Sequence, residues 1–299
     1  MVQSAFFCDS ASLPGLSPHA VVHMPIARTG YQLCFEDICP GKPALGSVSM
    51  VPWDEEIFGF PVAVYRVGTE RLEASERKEF VERFRQWARQ SRVSLCACMI
   101  PAKESHSFWK CYLGEVGFYI VDLSVQATLN GLQHARLPEA RTELREARFD
   151  DREAIEAIAT HAFHHGRYHA DPLFPRELAD KRYGHWIRNA LAAENAVDRV
   201  YVMGEPDSVQ GFYHVTIEEG VSDLRLAAVA PSLKGTLLGF DLYVSVLHLL
   251  KELGVRRALT SISAANTSVM NAFAALGFSF SAPEMIFHWH PEALDREDR

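Results

Sequence analysis

Along "GFDLYVSVLHLLKELG", Leu242, Val246, Leu249, Leu250 and Leu253 recur at helical spacing, so the pattern predicts a helix with one apolar face. "RALTSIS" follows and reads as a short strand, and "NTSVMNAFAAL" as another helix. Gly277-Phe278 then leads into a last strand, "FSFSAPEMIFHWH". The same succession occurs earlier in the chain. There "SERKEFVERFRQWARQSR" is a helix, "VSLCACMI" a strand and "ESHSFWKCYLGEV" a second helix, and Gly117-Phe118 opens the strand "FYIVDLSVQATL". Helix, strand, helix, Gly-Phe and strand therefore occur twice, an internal repeat carried by pattern more than by identity.

The polar, charged stretch "NGLQHARLPEARTELREARFDDREAI" divides the two, and a boundary is expected around Pro138. This gives an N-terminal arm at 1–47, a first domain at 48–138 and a second at 139–299. In the second, "ELREARF" reads as a strand and "DDREAIEAIATHAF" as a helix with acidic residues in its first turn. "RVYVMGE", "GFYHVTIEE" and "LRLAAVA" then predict an antiparallel run of strands. Alternating strands and helices imply an α/β architecture around a mixed sheet.

Composition narrows the function classes. The 299 residues are 48% apolar and 23% charged, as in a soluble globular protein, and the length suits two modest domains or one large one. No apolar run approaches the roughly 20 residues of a membrane span. The start "MVQSAFFCDSASLPGLSPHAVVHMP" lacks the basic head and apolar core of an export signal. A cytoplasmic setting with no membrane partner is expected. A net charge of -8 without a long Lys/Arg run argues against nucleic acid as a partner. The six cysteines, Cys8, Cys34, Cys39, Cys96, Cys98 and Cys111, form no C-x-x-C. Cys96 and Cys98 share one face of a strand and read as reduced core thiols.

The stretch "VAPSLKGTLLGFDLY", Val229 to Tyr243, ends a strand, crosses a short turn and enters the amphipathic helix. A helix N-terminus offers unpaired N–H groups and a partial positive charge, so a pyrophosphate can sit there. Lys234 supplies a cation, and Gly235 and Gly239 allow close backbone approach. A plain strand-to-helix turn has the same residues, and both readings stand on these alone. The first half has no such turn, so a ligand site here would occur once per chain.

In context the pieces resemble the GNAT acyltransferases. Val229 and Pro231 match a strand ending in V-x-P, Lys234 to Gly239 match the loop Q/R-x-x-G-x-G/A, and Asn266 and "AFAALGF" follow in the family's order, from about Leu144 to His290. The resemblance implies a GNAT fold in two tandem GNAT-like halves, and transfer of an acyl group from acetyl-CoA or another acyl-CoA, a phosphopantetheine thioester, to an amine. It implies a pyrophosphate at Lys234, Gly235, Thr236, Leu237, Leu238 and Gly239, and a thioester carbonyl beside the backbone of Ala228 and Val229. Asn266, which reads as a helix cap, would also lie near the pantetheine arm. Two positions depart from the pattern. Leu237 stands where the middle glycine of the loop belongs. Phe273 occupies the place of a tyrosine thought to protonate the leaving thiolate, and phenylalanine has no proton to give.

"VPWDEEIFGFPVAVYRVG" and "HHGRYHADPLFPRELADKRYGHWIRNAL" are similar to segments of bacterial TDP-fucosamine acetyltransferase and its relatives, which have a degenerate N-terminal half. This implies a nucleotide-linked amino sugar as acceptor. Bases for such a transfer would be His214, Glu218 or Asp223, each otherwise a solvated strand or hairpin residue. His161, His164, His165 and His169 invite a metal reading, but spacing fixes no carboxylate or cysteine beside them. The segment "HHGRYH" is read instead as a mobile polar loop lining the acceptor pocket, with Arg167, Tyr168 and His169 facing a phosphate or sugar. Asp54 and Glu55 are expected as contacts across the cleft, with Trp53 and Phe58 as packing. Two alternatives accompany this reading. One is an acyl group delivered by a carrier protein docking near Arg256 and Arg257. The other is a non-catalytic binding module that keeps the fold. A homodimer is compatible with either.

Overall fold

A computed structural model describes residues 33–68, 71–102, 107–193, 197–205 and 208–291. Cys8 and most of the N-terminal arm lie outside the described residues. The first half comprises β1 (Glu36–Asp37), β2 (Ser47–Met50), α1 (Pro52–Phe58), β3 (Val62–Arg66), α2 (Ala74–Gln90), β4 (Leu95–Pro101), α3 (Ser107–Val116) and β5 (Tyr119–Asn130). After an irregular stretch come β6 (Leu144–Glu146), α4 (Arg152–Ala162), α5 (Arg167–Ala170), α6 (Arg176–Leu191), β7 (Asp198–Met203), β8 (Gly211–Glu218) and β9 (Val221–Val229). The chain ends with α7 (Leu238–Glu252), β10 (Arg257–Ser263), α8 (Thr267–Ala275), β11 (Ser279–Phe280) and β12 (Glu284–Trp289).

Local chemistry fixes these elements where the periodicity placed them. α2 opens with the Glu76 carboxylate accepting from the Glu73 N–H at 2.8 Å, and buries Phe80, Phe84 and Ala88 at i, i+4 spacing. Cys96 and Cys98 are fully buried on β4, and burial pushes both thiols up. "WDEEIFG", read as a local core with a turn, is α1, closed by Gly59 in the left-handed region at φ 77. The repeat is visible as geometry. α3 ends with the Phe118 N–H donating to Leu113 O, and α8 with the Phe278 N–H donating to Phe273 O. Each six-residue closure carries a glycine at positive φ, Gly117 at 104 and Gly277 at 86. The phenylalanine that follows is buried in each case.

All strands join one sheet, in the order β1-β2-β3-β4-β12-β5-β10-β9-β8-β7-β6, with β11 on β5. The last strand of the chain does not stay beside its own helix. "FSFSAPEMIFHWH" breaks near Pro283, which has no N–H to give a ladder, and β12 inserts antiparallel between β4 and β5. β5 in turn pairs with β10 from Asn130↔Arg257 to Ser124↔Ser263. One core forms under α2 and α3 around Tyr65, Phe80, Phe84 and Trp109. A second forms under α7 and α8 around Leu242, Val246, Leu250 and Phe273.

Gly277→Ala meets no atom closer than Leu129 Cδ1 at 3.9 Å, so its cost is conformational. It is expected to destabilise by about 1–2 kcal/mol in urea unfolding. An unchanged midpoint would contradict the left-handed closure.

Candidate active site

β9 and β10 run parallel but pair only at Val221↔Arg257, Ser222↔Ala258 and Asp223↔Leu259. At the next position the Thr260 hydroxyl, not a backbone amide, donates to Leu224 O at 2.7 Å. β9 also bulges here, since His214 faces Leu226 while Val215 faces Leu224, leaving Arg225 as the extra residue. The strands therefore part. Two adjoining cavities occupy the gap, one of about 210 Å³ and one of about 290 Å³. The inner is walled by residues including Asp122, Arg167, Tyr213, Ser263 and Phe273. The outer is walled by His164, Ala228, Val229, Lys234 and Gly239 among others. Tyr243, Asn266, Ala227, Phe163, His165 and Val269 line both, so they mark the junction.

The outer cavity ends at the start of α7. Leu237 is 75% exposed and is not among the residues that wall it. Gly235 has φ 82, and a Cβ built on Gly235 or Gly239 would meet nothing within 4 Å. The Thr236 hydroxyl donates to Leu233 O at 2.7 Å and accepts from the Leu238 N–H at 3.3 Å, which stiffens the turn. Of the expected loop contacts, Lys234 and Gly239 wall the cavity; Gly235, Thr236, Leu237 and Leu238 do not. Asn266 caps α8 as expected, accepting from the Val269 N–H. Burial, then the charges of Lys234 and Arg176, hold His164 below its ordinary value. The mouth is thus rich in cationic groups.

None of the three expected bases walls either cavity. His214 is buried with Nε2 2.8 Å from Asp198, and burial lowers its pKa. Glu218 is exposed at the end of β8, and Asp223 pairs with Arg225 at 3.3 Å. His214 and Glu218 lie on β8 and Asp223 on β9, and a polar residue within a strand can face either layer. The carboxylate that does wall the inner cavity is Asp122, on β5 of the first half. It accepts from Ser263 Oγ at 2.7 Å and from the Leu123 N–H at 2.8 Å, yet burial raises its pKa. Its signal in the sequence was an aspartate within the strand pattern of "FYIVDLSVQATL". Phe273 walls the inner cavity, and the Tyr243 ring lies 5.1 Å from it. Burial pushes the Tyr243 phenol up to about 12. Its hydroxyl has no hydrogen-bond partner among the described residues.

"HHGRYH" is not an open polar loop. Arg167 and Tyr168 begin the single turn α5 and are buried. Asp54, 1% exposed, does not face the cleft but ties this turn to α1 and α6. It accepts from the Tyr168 hydroxyl at 2.7 Å and from Arg182 Nε at 3.0 Å, with Arg167 Nη2 at 3.9 Å. Tyr168 is flanked by Phe58 and Phe174 at ring separations of 5.2 and 4.9 Å. Glu55 walls neither cavity, and His169 is taken up by Asp180 at 2.8 Å. Asp171 holds the turn from the other side. Its Oδ2 lies 2.7 Å from His288 Nδ1 and 2.8 Å from His290 Nε2, while Oδ1 accepts from the Tyr119 hydroxyl at 2.6 Å. Among the described residues only these three, Asp171, His288 and His290, bring metal-ligating atoms within 4.8 Å of one another. Their separations are those of N–H···O hydrogen bonds, so the group reads as a latch between α5 and β12. Burial lowers His288 to about 4, which keeps it neutral near pH 7.

No protein-family model matches the chain. One curated relative, the spore coat polysaccharide biosynthesis protein SpsD of Bacillus subtilis, is 25% identical over 140 residues. That match spans about half of each chain, 47% of this one and 47% of the relative. Among solved structures, a GCN5-related N-acetyltransferase from Sphaerobacter thermophilus superposes with TM-score 0.57 at 14% identity, covering 82% of this chain and 76% of the other. Another from Kribbella flavida gives 0.54 at 16% identity, over 82% and 87%. A tandem GNAT protein from the clavulanic acid biosynthesis pathway gives 0.52 at 15% identity, over 82% and 78%. These likenesses show the fold, a GNAT-type mixed α/β sheet. Among the described residues no helix is long and apolar enough to cross a membrane.

Asp54→Ala would leave the buried Arg167 and Arg182 without their shared carboxylate. A loss of about 3–5 kcal/mol in denaturant unfolding is expected. A loss below about 1 kcal/mol would show that the turn is held by its aromatic packing instead.

Proposed function

We propose that the protein transfers an acyl group from a coenzyme A thioester to an amine in the cleft between β9 and β10. The observation that carries this is the parting of the two strands towards the Lys234–Gly239 helix start, with two adjoining cavities along it that share Ala227, Tyr243 and Asn266. The diphosphate would lie on the first amides of α7 beside Lys234. The pantetheine arm would follow the edge of β9, which pairs with no strand beyond Asp223 on the β10 side among the described residues. Backbone groups on that edge near Ala228 and Val229 would bond the arm and polarise the thioester carbonyl. We keep 48–138 and 139–299 as the two units. The second carries the donor loop, and the first lends Asp122.

In this reading the acceptor enters the inner cavity as an ammonium ion and gives its proton to Asp122. The neutral amine attacks the carbonyl carbon, the C–N bond forms and the C–S bond breaks. The amine's second proton leaves to water, and Tyr243 protonates the thiolate. Tyr243 suits this role because it stands at the junction of the two cavities, next to Phe273. An amino sugar is our finer reading of the acceptor. It is supported by the resemblance of "HHGRYHADPLF" and by the polysaccharide role in the name of SpsD. A cytoplasmic setting goes with a coenzyme A donor. The carrier-protein alternative gains no support from position. Arg256 and Arg257 lie at the start of β10, and the cavity is walled by Ser261 and Ser263 at its other end.

Calorimetric titration is expected to show acetyl-CoA binding in the micromolar range, much tighter than bare phosphopantetheine, and weakened by Lys234→Glu. Equal affinity for both would remove the diphosphate from α7. Tyr243→Phe is expected to lower kcat by about 10²–10⁴-fold. The double variant Tyr243→Phe with Phe273→Tyr should recover part of that rate. Unchanged turnover in Tyr243→Phe would exclude it as the proton donor. Because burial raises Asp122, its base form fills only above the usual carboxylate range. The kcat/KM profile should therefore fall on the acid side at a pH above about 4, and Asp122→Asn should remove that limb. A limb that survives the substitution belongs to another base.

A further inference from the structure

We infer that the amine acceptor carries an anionic group, a carboxylate or a phosphate, that seats on Nη1 of Arg167 in the inner cavity. This rests on the acyl-transfer reading for the word acceptor, while the anion site stands on its own observations. Arg167 is 7% exposed and walls the cavity. Its Nη2 donates to the Tyr168 hydroxyl at 2.8 Å and lies 3.9 Å from Asp54. Its Nη1 is buried and has no hydrogen-bond partner. A guanidinium cannot shed its charge to relieve this. A buried donor left unmade is costly, more so when charged, so a partner that arrives with the ligand accounts for its retention.

The carboxylates around it are engaged elsewhere. Asp54 shares its single charge between Arg167 and Arg182, with its closest guanidinium bond going to Arg182 Nε. Asp171 is held by His288, His290 and Tyr119. Arg225, the third arginine on the wall, pairs with Asp223. Asp122 feels the charge of Arg167, but its hydrogen bonds come from Ser263 Oγ and the Leu123 N–H, and burial works against its ionisation. The inner cavity is therefore polarised, with a guanidinium donor at one wall and a proton-accepting carboxylate at another. The same cavity is lined by aromatic faces, including Phe163 stacked on Tyr183 at 4.4 Å, and Trp186. A compact molecule with an ammonium group, a carbon body and an anionic group matches all three surfaces. Two N–H groups on one guanidinium nitrogen and a carboxylate or phosphate form charge-assisted hydrogen bonds.

The test uses the full chain with acetyl-CoA, following thiol release with matched acceptors. Phosphoethanolamine is compared with ethanolamine, glucosamine phosphate with glucosamine, and β-alanine with its amide. Calorimetry of each compound without donor gives binding separately from chemistry. The anionic member should be favoured by about ten- to a hundredfold in kcat/KM, mostly through KM. Arg167→Gln should abolish the preference and Arg167→Lys should keep part of it, with thermal unfolding monitored for both. Preference within the phosphate pairs or within the carboxylate pair tells which anion is meant. Equal use of charged and neutral members by the unaltered protein would overturn the inference while leaving acyl transfer intact, and this arm decides even if Arg167→Gln does not fold. Arg167-dependent binding of the anionic members, with no acetyl transfer to any amine, would sustain the anion site and sink the acyl-transfer reading.

Discussion

The parting of β9 from β10 after three residue pairs is the constraint on which the rest depends. A parallel pair would ordinarily satisfy both strand edges with evenly spaced backbone bonds. Here the Thr260 hydroxyl takes the Leu224 carbonyl, the bulge at Arg225 turns β9, and the ladder stops. What remains is an edge of backbone polar groups in the middle of a sheet, where an unpaired N–H or C=O is expensive unless a ligand or water meets it. The cavity, the exposed edge and the helix start at α7 follow from that one divergence.

The first half of the chain also reaches the cleft. β12 crosses into the first half between β4 and β5, and β5 carries Asp122 beneath the cleft. α5 is fixed by two carboxylates from different directions, Asp54 on α1 and Asp171 against β12. Both are buried, and both hold by charge-assisted bonds that act strongly at low local dielectric. The first half is therefore structurally committed to the site even though it has no helix-start turn of its own to match Lys234–Gly239. Its contribution is a carboxylate, a clamp and the strand that carries them.

Much of the fold was legible in the sequence because its helices keep a regular apolar period and its strands are bounded by turn residues. "RALTSIS" is β10 from end to end, and both Gly-Phe turns close helices as their sequence suggested. The crossing of β12 was not legible, since pairing partners are a tertiary choice that local pattern does not encode. The turn at Lys234–Gly239 and the cap at Asn266 were readable for the same reason as the fold, because each stands where a strand gives way to a helix. Leu237 departs from the loop pattern, and sequence shows a side chain but not its surroundings; in the fold it is exposed and walls neither cavity. The residues that wall the inner cavity were less legible. His214, Glu218 and Asp223 were adjacent in sequence to the cleft, yet the pleat and the bulge aim them elsewhere, while Asp122 and Tyr243 reach it from distant segments.

The most direct test of the central claim is hydrogen exchange along the chain with and without acetyl-CoA. The account predicts slowed exchange confined to the β9 edge at Ala227–Ala230, the start of α7 at Leu238–Asp241, and the cap at Asn266–Val269. Binding that leaves these amides unchanged, or that protects only segments outside the cleft, would contradict the assignment of this gap as the donor site.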